Sequence, residues 1–491
     1  MRRLSLLLIG LITLSVDAQR PPPPPDAVSR YVKVPAAHRI LLTHLRIIDG
    51  TGAAPLEDQA ILLVDGKIAE IAPSATAHPS EDTPVINLTG RTVFPGLVGM
   101  HDHMYNIARP NFDANFRFEP PLMIPELAFT SPHLYLGAGV TTLRTTGSVE
   151  PYTDLNLKRD IDAGKLVGPH LDVTGPYLEG PNSGFLQMHA LRDADDARTT
   201  VDFWAAQGVT SFKAYMNITR AELKAAIDET HKLHLKITGH LCSVTYPEAA
   251  ELGIDNLEHG FFVNTQLDPG KQPDVCPPTS GSPTLAKMTA GSSEATALID
   301  LLIKDHVAVT STLPVFENDD PIHSKPQQRV LDTMSPPTRE AYLAFRTFEL
   351  SRAGADSDAA KARAALFTND MALEREFVAA GGLLLAGPDP TGDGGVVPGF
   401  GDQREVELLV VAGFTPLEAI KIATLNGATY LGRADSIGSI AVGKNADLVV
   451  VKGDPSKQIT DIENTEIVFK DGVGYDSEQL LKSTLGRYGQ Y

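Results

Sequence analysis

The sequence predicts an α/β chain: a (β/α)8 TIM-type barrel over residues 95–433, with a small β-sandwich domain formed by both chain ends, 37–94 and 434–491. Three observations carry that reading. Between Pro95 and Arg433 eight apolar runs alternate with helical patterns, the rhythm of parallel strands joined by crossover helices. On both sides the texture changes to short β runs broken by turn residues, as in AILLVDGKIAEIA and EIVFKDGVGY. No glycine-rich phosphate loop follows an early strand, which counts against a doubly wound open sheet.

Taken in order, the chain opens MRRLSLLLIGLITLSVDAQR. Arg2 and Arg3 precede an apolar run, Leu4 to Val16, and Val16-Asp17-Ala18 has the small-x-small pattern of a cleavage site. The run is too short to span a bilayer comfortably, so residues 1–18 read as a signal peptide. Residues 19–36, with prolines from Pro21 to Pro25, read as a stiff extended tether. The expected location is periplasmic or secreted, with no membrane contact after cleavage. From Ile40 to Val93 antiparallel strands are expected, with Asp65-Gly66 as a hairpin turn. The barrel strands are FPGLVGMHDH, VTTLRTTG, HLDVTGPYL, VTSFKAYM, KITGHL, NLEHG, VAVTSTL and GGLLLAGPD. Thr219 and Glu222 form a capping box opening a helix toward Leu233; Thr415 and Glu418 form another, with Pro416 at its first position. Asp268 to Ser293, rich in Pro, Gly and Ser, reads as a long loop. The two cysteines, Cys242 and Cys276, exclude a disulfide framework and leave open a single bridge.

Composition narrows the function. With 42 Lys and Arg against 61 Asp and Glu, the net charge of −19 repels phosphate backbones and anionic lipid. No nucleic-acid partner is expected. Apolar residues at 42% and charged residues at 21% exclude disorder for most of the chain.

Placed on the predicted strands, the ionisable residues converge. His101 and His103 close the first strand, and residues two apart share a side, so both imidazoles face the barrel mouth. Lys213 lies in the fourth strand, on the side shared with Tyr215. His240 ends the fifth strand, His259 the sixth and Asp389 the eighth. The C-terminal ends of the strands are where this fold carries its chemistry. Imidazoles and a carboxylate together suit Zn²⁺ and its neighbours. A charged Lys213 beside metal would be costly to bury; as a neutral amine it could add CO2 and become a bridging carbamate. Each residue also has a structural alternative: a hydrogen-bonded histidine, a Lys213–Asp389 pair, a turn capped by Asp389 before Pro390. Tyr105, Arg144, Tyr177 and Tyr215 are the polar side chains expected nearest the substrate. Arg144 could clamp a carboxylate or pair with an acidic neighbour. His189, after the third strand, reads as surface with substrate contact as the alternative.

FPGLVGMHDH, GVTSFKAYM, NLEHG and GSIAVGKNADLVVVKGDP together resemble the amidohydrolase superfamily. The lysine strand is similar to its hydantoinase branch, and the C-terminal segment to its prolidase-like and imidazolonepropionase-like branches. The likeness runs from about Ile40 to about Gly472. It implies two divalent ions, Zn by expectation. His101, His103 and Asp389 would hold one, His240 and His259 the other, and carbamylated Lys213 would bridge them. It implies a metal-bridging hydroxide as nucleophile, with Asp389 handling its proton, in hydrolysis of an amide or related acyl bond. Two departures touch substrate contacts: Arg144-Thr145-Thr146 where many relatives have an Arg-Asp pair, and GPDPTGDGG around Asp389. The expected activity is an exported amidohydrolase cleaving a small-molecule amide, a dipeptide or N-acyl amino acid. Ring opening of a hydantoin, imidazolone or lactam is the alternative, and a non-catalytic binding protein the third reading. Whether the chain forms a homo-oligomer is not legible.

Overall fold

A computed structural model describes residues 28–104, 107–108, 122–123, 127–181, 183, 188–318, 324–353, 357–390 and 395–489. The signal-peptide segment 1–18 and the proline run lie outside them.

All eight expected barrel strands form, in the expected order: Leu97–Asp102, Val140–Thr145, His170–Leu178, Ser211–Ala214, Lys236–Gly239, Asn256–Glu258, Ala308–Ser311 and Leu384–Ala386. Each pairs in parallel with its sequence neighbour. The ring is drawn shut where the Asp389 N–H donates to the His101 carbonyl at 3.0 Å. That approach needs glycine at 387, since a Cβ there would stand 2.2 Å from the His101 nitrogen. Apolar side chains such as Leu143, Phe212, Ile237 and Leu257, all fully buried, pack the barrel against its helices. Each is worth about 1.5–3 kcal/mol on burial.

Local signals in the sequence act as expected. Thr219 accepts from the Glu222 N–H while the Glu222 carboxylate caps the Thr219 N–H, and the Thr415–Glu418 box does the same. Thr245 and Glu248 add a third box, opening Tyr246–Leu252. The Asp268–Ser293 stretch is more ordered than a loop expectation allowed and contains the short helix Ser282–Lys287. Asp268 organises it, accepting from the Thr279 hydroxyl, the Gly281 N–H and both the N–H and hydroxyl of Thr284. A Cys242–Cys276 disulfide, with Cα atoms 4.8 Å apart, settles the open question of the bridge and ties this stretch to the end of the fifth strand.

The chain ends meet in one nine-stranded mixed sheet. Its seam is the antiparallel pairing of Arg91–Pro95 with Leu448–Lys452. Asp65 and Gly66, at φ of 49° and 77°, make the expected tight turn joining Leu56–Val64 to Lys67–Pro73. The inner face closes on itself as in a sandwich, around Leu42, Ile61, Ile68, Leu448 and Phe469. Of the expected tether, 19–36, residues 28–36 are among the described residues. Val32–Val34 is already an edge strand on Val473–Asp476, anchored by buried Tyr31, whose ring lies 4.7 Å from that of His133. At the other end the helix Ser477–Lys482 leaves the sheet and packs on the barrel, its Ser477 hydroxyl donating to the Gly137 carbonyl.

Candidate metal centre at the barrel mouth

The strand ends bring the six expected residues to one place. His101, His259 and Asp389 each offer a ligand atom, all within 4.8 Å of one another. His103 Nε2 lies 3.3 Å from Asp389 Oδ1, Lys213 Nζ lies 3.0 Å from His101 Nε2, and the His240 ring centre is 4.4 Å from that of His259. His101, His103, Lys213, His259 and Asp389 are buried and His240 half-buried.

Two of these residues sit in the left-handed backbone region: His259 at φ 71° and Asp389 at φ 54°. Strict alternation after Glu258 would turn His259 outward; the positive φ turns it back toward the barrel axis. Gly260 follows at φ 54°, where a Cβ would meet the Asp370 and Glu374 carboxylates at under 3 Å. The order Glu-His-Gly therefore has a geometric cause. Asp389 carries added strain because it precedes Pro390, which disfavours such a conformation. Strain of this kind costs on the order of 1–3 kcal/mol and gathers at functional sites.

Two imidazoles are oriented from behind. His101 Nδ1 is 2.7 Å from Glu258 Oε2, and His259 Nδ1 is 2.9 Å from the Thr312 hydroxyl, so each ring is held at Nδ1 and directs Nε2 into the site. Glu258 is itself fixed by Arg144, whose Nη2 donates to Oε1 at 2.7 Å, and by the Thr238 hydroxyl. Sequence reasoning missed Glu258. The one available signal was a carboxylate inside an otherwise apolar strand run, NLEHG.

The electrostatics agree with a cation-binding site. Burial lowers His101 to about 4 and His240 to about 3, and pushes His259 well below its ordinary value, so these rings are neutral and able to ligate at neutral pH. Burial also brings Lys213 down to about 8. For Asp389 burial acts upward, but His101, His103 and His259 overcome it and hold the carboxylate well below its usual range. Burial likewise opposes ionisation of Glu258; Arg144 and His101 prevail and hold it at about 2. His259 Nε2 is buried with no hydrogen-bond partner, an arrangement that a bound cation would relieve. The donor set fits a divalent ion of the zinc kind.

The expected substrate contacts fare differently. Tyr105 lies outside the described residues. Arg144 is not a rim residue free to clamp a substrate carboxylate. It is 1% exposed inside the barrel, bound to Glu258, to Asn256 Oδ1 at 2.9 Å and to the Met100 carbonyl. The acidic-neighbour alternative is the one the structure adopts. Tyr177 and Tyr215 form a wall beside the lysine, their rings 4.9 Å apart and edge-on, with Lys213 Nζ 5.5 Å and 6.0 Å from the two ring centres. His189 is 55% exposed and turned to Asp196 Oδ2 at 3.2 Å, away from this group.

Comparisons with known proteins add two kinds of likeness. Residues 402–473 match the Amidohydrolase family, a stretch that contains none of the six site residues. Over 432 residues the chain is 24% identical to an imidazolonepropionase of Porphyromonas gingivalis, covering 84% of this chain and 86% of that protein. Among solved structures, a Xaa-Pro dipeptidase with bound methionine in its active site aligns with a TM-score of 0.64 at 20% identity, covering 89% of this chain and all of that one. A bottromycin amidohydrolase aligns at 0.67 and 21% identity, covering 93% of this chain and 92% of the other. At such identities the structural likenesses carry the fold.

Proposed function

We propose that the chain, an amidohydrolase by its likenesses and a hydrolase of carbon–nitrogen bonds, cleaves the amide bond of a dipeptide or N-acyl amino acid. The observation that carries the proposal is the Asp389 carboxylate set among His101, His103 and His259 at the barrel mouth, with Lys213 Nζ 3.0 Å from His101 Nε2. Divalent ions held by His101, His103, Asp389, His240, His259 and a carbamylated Lys213 would supply Lewis acidity and lower the pKa of the attacking water.

The chain's own residues have distinct tasks. Asp389, ionised in the resting site, accepts a proton from the attacking water at a carboxylate oxygen and returns it to the leaving nitrogen, so no free amide anion is expelled. Glu258 keeps Nδ1 of His101 engaged, and Thr312 does so for His259, which turns each Nε2 into the site, that of His101 toward Lys213 Nζ and that of His259 with no other partner. Burial favours the neutral amine of Lys213, the form that can take up CO2. The Tyr177–Tyr215 wall shields that amine and gives the acyl or side-chain part of a substrate an aromatic surface.

A second reading, opening of a cyclic amide, is favoured by the extent of the imidazolonepropionase likeness. One experiment separates them: metal-reconstituted protein is offered dipeptides, N-acyl amino acids, hydantoins and imidazolones, and products are followed by mass spectrometry. Release of free amino acid from linear substrates supports the proposal. Ring opening without linear cleavage replaces it with the second reading.

We also propose that the protein is exported. The Cys242–Cys276 bridge suits an oxidising compartment. The test is the N-terminus of the protein recovered from the extracellular or periplasmic fraction, expected at Gln19.

A further inference from the structure

We infer that His170, Asp447 and Asp471 form a second divalent-cation site, which joins the floor of the barrel to the small sheet domain. His170 opens the third barrel strand, so it lies at the strands' N-terminal end, away from the mouth. Asp447 immediately precedes the strand Leu448–Lys452, and Asp471 sits in the turn between Thr465–Lys470 and Val473–Asp476. One ligand atom from each lies within 4.8 Å of the other two.

One buried atom in this group lacks the partner that burial demands. Asp447 is 5% exposed; its Oδ1 accepts the Asp471 N–H at 2.8 Å, and its Oδ2 is buried with no hydrogen bond. His170 Nε2, also buried, stands 2.9 Å from Asp471 Oδ2 and turns the imidazole toward this group. A buried carboxylate oxygen with nothing to bind is costly. The orphaned Asp447 Oδ2 beside the His170–Asp471 pair is an arrangement that a bound cation would relieve.

The surroundings leave the position for a cation. The charge of buried Lys470 acts on both carboxylates without a hydrogen bond to either among the described contacts, and Arg433 is turned to Asp172 at 3.3 Å. The ligands are also positioned in advance. Asp471 and Gly472, at φ of 51° and 79°, form a tight turn pressed against Gly66, where an added Cβ would stand 2.6 Å from the Asp471 carbonyl. One imidazole and two carboxylates suit Zn²⁺ or a similar transition ion better than Ca²⁺ or Mg²⁺, which prefer all-oxygen cages. The Asp471 side chain is half exposed, so water has access to complete the coordination. The role that follows is to pin barrel to sheet, with no part in hydrolysis.

The test uses the full chain as purified. Bound zinc per chain is measured by elemental analysis after dialysis against micromolar Zn²⁺, for the parent, His170→Ala and Asp471→Asn, together with Tm with and without the ion. The expected result is one equivalent fewer in each variant, a smaller Zn²⁺-dependent rise in Tm, and unchanged amide hydrolysis. Asp471→Asn changes a half-exposed turn residue and keeps the test informative should His170→Ala fold poorly. Equal zinc content and an equal Zn²⁺-dependent Tm rise in the parent and a folded variant would overturn the site and leave an ordinary histidine–aspartate contact.

Discussion

Glu258 and Arg144 show how much of the candidate centre depends on residues that never face substrate. Both are fully buried, each compensates the other's charge, and His101 hangs from the pair. Replacing Glu258 by Gln would leave the guanidinium without its counter-charge, a loss of about 3–5 kcal/mol in urea unfolding. The same substitution should weaken metal binding at the mouth by about 10–100-fold. The double replacement Arg144→Met with Glu258→Leu separates the two effects. It should recover most of the stability without restoring metal affinity, whereas recovery of both would show that the pair only fills space. Little of this was legible in the sequence. His101, His103, His240, His259 and Asp389 could be found because each ends an apolar run. Arg144 and Glu258 lie 114 residues apart and Glu258 and His101 157 apart, so these pairs are fixed only when the barrel closes. The same holds for Lys213, whose strand was clear but whose neighbours Tyr177 and His101 come from other strands.

At the scale of elements, legibility follows the range of the forces. The capping boxes and the Asp65-Gly66 turn are contacts over three or four residues, and they form as the sequence indicates. The eight barrel strands were readable because buried parallel strands are uniformly apolar and punctuated. The order of Asp268–Ser293 was not readable, because it depends on a single carboxylate with four donors and on a covalent link 34 residues long. Removing that link in Cys242→Ser/Cys276→Ser should cost about 2–4 kcal/mol. Cys276 lies within 268–293, so limited proteolysis should also show faster cutting there once the link is gone. Unchanged stability and unchanged cutting would mean that Asp268 and its donors hold the loop unaided.

The whole molecule carries an unusual load of buried acid behind the barrel wall. Asp370, Glu374, Asp402 and Glu405 are each at most 5% exposed. Burial pushes Glu405 up to about 8 from its ordinary 4.5, only partly offset by Ser311 and the Leu313 amide. Such a group keeps its proton in the folded chain while the unfolded chain loses it. Its contribution is neutral below about pH 4.5, and stability then falls as pH rises toward 8. Glu258 acts in the opposite sense: its contribution is present above about pH 4.5 and is lost as pH falls toward 2. His101 and His240, held neutral by burial, make stability rise with pH up to about 6.5, so the contribution of Glu405 is read between pH 7 and pH 8, where Glu405→Gln should raise Tm by a few degrees. A Tm profile that Glu405→Gln leaves unchanged would show that this carboxyl is ionised in the folded protein.

The central claim is that the constellation at the mouth is a metal-loaded hydrolytic centre in which Asp389 moves the proton. Its most direct test is the rate of amide hydrolysis in metal-stripped protein as Zn²⁺ is returned stepwise, in the parent and in Asp389→Asn. Negligible activity is expected in the stripped protein, with recovery as metal is restored, and this result supports the claim. The rate should also be about 10²–10⁴-fold lower in fully loaded Asp389→Asn, the range expected for loss of a positioned acid–base group. Full activity without metal, or a loaded Asp389→Asn as fast as the parent, would contradict the claim.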